Sequence, residues 1–77
     1  MNDNPNEPSA ESQCGMILDH LRAGNHITAL DALYMFQCFR LASRVNDLRK
    51  AGHPINSQWV NQHNGKRIKE YWYERQA

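Results

Sequence analysis

Eight of the nine lysines and arginines in this chain fall after residue 39, and two of them are spaced to act together. Arg40 and Arg44 are four residues apart in a segment, Phe39 to Lys50, that reads as a helix, so their side chains are expected to project on the same side. A guanidinium offers paired donors that match O6 and N7 of guanine, and an α-helix fits the major groove where those atoms lie. Gln37 and Ser43 are placed to read a base or hold a phosphate. Asp47, three residues after Arg44, is placed to orient that guanidinium or to accept from cytosine. Arg49 and Lys50, at the end of the helix, suit phosphates better than bases. A second group, His63, Asn64, Lys66, Arg67 and Lys69, surrounds an expected hairpin tip. Its cations suit the backbone or the edge of the minor groove. If six of these charges neutralised phosphates, the logarithm of affinity would fall against the logarithm of salt with a slope of about −5.

The net charge of +1 conceals this segregation. Residues 1–39 hold Arg22 against Asp3, Glu7, Glu11, Asp19 and Asp31, a net charge of −4. Residues 40–77 hold eight cations against Asp47, Glu70 and Glu74, a net charge of +5. A basic half of this kind points to a polyanionic partner.

Other chemistries find little support. Seventy-seven residues make one domain at most, with a small core. There is no nucleophile elbow and no glycine-rich phosphate loop, and Glu70 and Glu74 read as surface charges, so an enzyme is not expected. So short a chain leaves no room to wall off a pocket for a small-molecule substrate or cofactor. His20 and His26 have no cysteine pair beside them, so no metal site is expected. Cys14 and Cys38 are too few for the disulfide framework of a small secreted domain, and read as reduced thiols, buried or half-buried. The opening MNDNPNEP has neither the basic nor the apolar region of a signal peptide. No apolar run approaches the ~20 residues of a membrane span. The expectation is a cytoplasmic protein that does not enter a membrane.

The elements that must position the cations can be read from spacing. Residues 1–8 read as a disordered tail, 9–74 as the domain and 75–77 as a second tail. Helix 1 is expected over about 10–23, capped by Ser9 or Ser12, with Cys14, Ile17, Leu18 and Leu21 at helical spacing and a stop at Gly24. Asn25 to Ile27 form a stub of strand that could pair with the later hairpin. Thr28 caps helix 2, with Asp31 reaching back as in a capping box, and Leu30 and Leu33 are expected to face inward. Gln37-Cys38 is the turn. Helix 3 follows from about Phe39 to Lys50, with Leu41, Ala42, Val45 and Leu48 as its dry stripe and Gly52 as its stop. Ile55 to Val60 alternate as a strand, Asn61 to Gly65 form the tip, and Lys66 to Tyr73 return, with a bulge possible in the pairing. Tyr71 and Tyr73 fall on one face of the return strand, and Ile68 and Trp72 on the other. Trp59 and Trp72 are expected to close the core beneath the hairpin, although either ring could instead stack on exposed bases.

The order is helix, turn, helix and basic hairpin: an α+β fold, a three-helix winged helix-turn-helix with a C-terminal hairpin as the wing. Ile27 to Leu33, Cys38 to Ile55 and Gly65 to Tyr71 resemble the small winged helix-turn-helix domain found in many phage and prophage proteins. The resemblance covers about residues 13–73. It is most specific from the Thr28 cap to the Leu-Arg-Lys-Ala-Gly end of helix 3. The chain departs from the family in its Tyr71-Trp72-Tyr73 end and in a tip richer in Asn and Gln. The resemblance implies that helix 3 is the recognition helix and the Gly-Lys-Arg hairpin the wing. Together these readings lead us to expect sequence-specific binding of double-stranded DNA by a small phage or prophage regulator of transcription, acting as a homodimer or with a second protein. The competing expectation is a protein-binding module on the same fold. It would be favoured by an exposed patch of Trp59, Tyr71, Trp72 and Tyr73.

Overall fold

The computed structural model describes residues 9–74. The two tails expected at 1–8 and 75–77 lie outside the described residues. Helix α1 spans Ala10–Arg22, strand β1 Ile27–Thr28, helix α2 Ala29–Phe36, helix α3 Leu41–Lys50, strand β2 Ile55–Asn61 and strand β3 Arg67–Tyr73.

The helix ends follow from local chemistry. Ser9 caps α1 by accepting from the Ser12 backbone N–H. Thr28 caps α2 in a full capping box: its hydroxyl accepts from the Asp31 N–H, and the Asp31 carboxylate accepts from the Thr28 N–H. After α3 the Gly52 N–H reaches the Arg49 carbonyl and the His53 N–H the Leu48 carbonyl. That paired closure needs a left-handed residue, and Gly52 supplies it at φ 102°.

The three strands form one antiparallel sheet in the order β1-β3-β2. Ile27 pairs with Tyr71, so the expected stub strand does join the hairpin. β2 and β3 pair without interruption from Ile55↔Tyr73 to Asn61↔Arg67, and the register needs no bulge. The core lies between the helices and one face of the sheet. Ile17 and Leu21 of α1, Leu41, Val45 and Leu48 of α3, and Ile27, Ile55 and Tyr71 of the sheet are buried there.

Four expectations are corrected. Leu30 faces outward, and the small Ala32 takes the inner position of α2. The capping box fixes the phase of this two-turn helix, which puts residues 32, 33 and 36 toward the core and 30 and 34 away from it. Ala42 is exposed, beyond the edge of the dry stripe on α3. Helix α3 begins at Leu41 rather than Phe39. Gln37 adopts a left-handed conformation at φ 54°, and Cys38 turns inward with its N–H on the Ala32 carbonyl. Residues 37–40 are consumed by that turn. Trp59 does not close the core: it stands 56% exposed. The sheet extends past the helices at this point, so no helix covers the ring.

A buried polar residue was not anticipated. Gln13 is 1% exposed, and its side-chain amide donates to the Gln37 carbonyl at 3.4 Å. Helix α1 thereby holds the one non-glycine left-handed residue among the described residues, at the turn between α2 and α3.

Candidate nucleic-acid interface

Helix α3 buries Leu41, Val45 and Leu48. The opposite side of a helix with that phase carries Ser43, Asn46 and Lys50, all exposed. This outer face has short donors at its centre and a cation at its end. Asn46 belongs to it although the sequence reading passed over it. The position follows from the period, being one turn from both Ser43 and Lys50.

Arg40 and Arg44 are not the pair that the sequence suggests. Arg40 lies before the first helical residue at φ −130°, ψ 55°, exposed at the mouth of the turn. The Arg44 side chain is only 16% exposed. It lies toward α1, whose Cys14 thiol donates to the Arg44 carbonyl at 3.9 Å. Asp47 Oδ2 stands 3.6 Å from Arg44 Nε. That is an ion pair longer than a hydrogen bond, and this buried Nε has no hydrogen-bond partner. Asp47 thus stands beside the Arg44 guanidinium as an ion-pair partner and not as a hydrogen-bonding one. Burial raises the pKa of the neighbouring Cys14 thiol above its ordinary value, the Asp47 carboxylate adds to the effect, and Arg44 opposes it.

Arg49 is also engaged within the fold. Its Nε donates to the Ile55 carbonyl at 3.0 Å, and its guanidinium lies 5.9 Å from the centre of the Tyr71 ring. Lys50, its neighbour, is exposed.

The wing presents a different set. Arg67, Lys69, Tyr71 and Tyr73 alternate onto the sheet face that the helices cover, opposite Asn61, Trp59, Ser57 and Ile55. Tyr71 is buried under the helices. Beyond them the same face is open, and Arg67 and Lys69 each lie 5.5 Å from the centre of the Trp59 ring. A shallow depression of about 310 Å³ joins this face to the start of α3, with Phe39, Arg40, Ser43, Lys69 and Tyr71 among its walls. At the tip Lys66 and His63 are exposed, and Asn64 shapes the turn by accepting from the Lys66 N–H at 3.0 Å. Gln37, also exposed, sits at the turn before α3.

The aromatic patch that would favour a protein partner is not assembled. Tyr71 is buried, and Trp72 lies on the opposite sheet face from Trp59, stacked on the His26 ring at 5.3 Å. A separate apolar strip does exist. Leu30 and Tyr34, one turn apart on α2, are 45% and 83% exposed, and Phe39 is also open.

The helix-turn-helix, the basic hairpin and the sheet order now stand together, and the family whose description is "winged helix-turn-helix domain" matches residues 12–74. The chain belongs to that family. No curated protein and no solved structure matches it significantly. Within the winged helix-turn-helix domain, α2 and α3 are the helix pair and β2–β3 the wing, and such a fold suggests DNA as the partner. Among the described residues no cluster of His, Cys, Asp or Glu could hold a metal ion, and no helix is long and apolar enough to cross a membrane.

Proposed function

We propose that this protein binds double-stranded DNA, with the outer face of α3 in the major groove and the wing against the flanking backbone. The observation that carries the reading is the depression between the start of α3 and the wing, which Arg40, Ser43 and Lys69 help to line. A helix seated in the groove would bring a phosphate strand across that depression, between two cations and a hydroxyl. Asn46 is the residue suited to read a base, by paired hydrogen bonds to adenine N6 and N7, with Ser43 beside it. Lys50, Lys66, Arg67, Lys69 and Arg40 hold phosphates, and Gln37, His63 and Asn64 line the approach. Arg44, Asp47 and Arg49 serve by fixing α3 against α1 and the wing rather than by touching DNA.

Sequence-specific regulation of transcription in a phage or prophage, within the bacterial cytoplasm, is the biological setting that the family resemblance supports. A single module of this kind covers a small footprint, so tight binding calls for a second copy or another protein. The exposed Leu30–Tyr34 strip on α2 favours such a protein contact, and it also supports the alternative of a protein-binding module.

The test is a salt titration of binding to a mixed-sequence duplex. Five phosphate-facing cations give a log–log slope of about −4.5. A slope near zero, or no binding at low salt, would remove DNA as the partner.

A further inference from the structure

Trp59 is the large apolar side chain that the wing leaves open, and its surroundings are specific. It sits on β2 directly across from Lys69 and diagonally from Arg67. Both cations lie over its ring at 5.5 Å. The Ser57–Tyr71 pair, two residues nearer the helices on the same face, marks the edge of the core. Trp59 is therefore the first position on the core-facing side that no helix covers. Packing does not explain an indole here.

We propose that Trp59, with Arg67 and Lys69, is a stacking platform for an unpaired nucleotide of single-stranded DNA. An indole offers a flat π surface that stacks on any base, and a groove of flanking cations tracks the phosphates of the same strand. The cations have a second place to go. In the free protein they rest over the ring, a weak attraction at an exposed site. A strand brings phosphates that bind them more strongly as charge-assisted partners, and as they move the ring is freed for the base. In an intact duplex the base faces are covered by their neighbours, so the platform selects a nucleotide that has left the stack. Trp72 has no such role: it lies on the other sheet face, with the His26 ring stacked against it and Glu70 holding His26 Nδ1 at 3.0 Å.

The proposal rests on the nucleic-acid reading of the wing, and its test separates it from the proposed role of α3. The full chain carrying Trp72→Phe has Trp59 as its single tryptophan. A thymidylate oligomer of about ten nucleotides should quench its emission saturably. Trp59→Ala in the natural background should weaken oligomer binding about tenfold, and Trp59→Phe should restore most of it. Asn46→Ala/Lys50→Ala should reduce duplex affinity and leave the quenching by the oligomer in place. Unchanged Trp59 emission, or equal oligomer affinity for Trp59→Ala and the natural chain, overturns the platform even if the duplex still binds. Equal quenching by duplex and oligomer also overturns it, because the ring would then be meeting backbone rather than an unpaired base. Absence of duplex binding by the natural chain, with its oligomer quenching intact, would leave the platform standing and remove the groove-reading helix.

Discussion

Arg49 Nε donates to the Ile55 carbonyl at 3.0 Å, and this bond ties the last turn of α3 to the first residue of the wing. It sets the angle between the two elements proposed to hold DNA. Arg49→Ala should lower stability by about 1 kcal/mol and weaken duplex binding, yet leave the salt slope unchanged. A direct phosphate contact would behave differently, with the slope falling by about 1 on its removal. Urea denaturation and binding at three salt concentrations measure both effects.

The Gln13 amide bound to the Gln37 carbonyl holds the turn before α3. Gln13→Ala removes a buried donor and leaves that carbonyl with one partner fewer. A loss of about 1–3 kcal/mol is expected, with the Tm of a domain this size falling several degrees for each kcal/mol. Thermal unfolding followed by circular dichroism is the check, and an unchanged Tm would show that the turn holds itself.

Arg44 separates the fold's requirements from those of the groove. Arg44→Met keeps the length of a side chain that is 16% exposed and removes the charge and its ion pair. Duplex affinity should change less than about twofold. Asn46→Ala, on the outer face, should cost about 1–3 kcal/mol of discrimination at one base pair. Parallel titrations on matched and substituted duplexes decide between them.

Cys14 is half-buried, and burial raises its pKa, with Asp47 adding to the effect. A raised pKa leaves less thiolate at any given pH, and thiolate is the reactive form. Alkylation by iodoacetamide near pH 8 should be slower at Cys14 than at an unfolded cysteine. The same shift favours the folded state's protonated thiol, so its contribution to stability is fully present below the ordinary thiol pKa and is lost as pH rises from there through the raised folded-state value. Cys14→Ser should remove that part of the alkaline loss.

The elements were legible where one residue type settles a local question. Thr28 with Asp31 marked the start of α2, Gly52 the end of α3, and the alternation in Arg67 to Tyr73 the two faces of β3. The site was less legible because it depends on what lies across the fold. Spacing put Arg40 and Arg44 on one helix, but the inward turn of Cys38 moved the helix start past Arg40, and α1 covered Arg44. Trp59 has the same alternation as the buried Ile55. Its exposure follows from where the helices stop, a length that no local pattern records. Gln13 gave no signal, since its partner, the carbonyl of a left-handed Gln37, exists only once the turn has formed.

The central claim is that the outer face of α3 enters the major groove. Fluorescence anisotropy of a labelled mixed-sequence duplex, titrated with the natural chain and with Asn46→Ala/Lys50→Ala at low and moderate salt, tests it most directly. The account predicts salt-sensitive binding by the natural chain and at least a tenfold loss in the variant with folding unchanged. Equal binding by the two proteins would contradict it, because the duplex would then be held by some surface other than this helix.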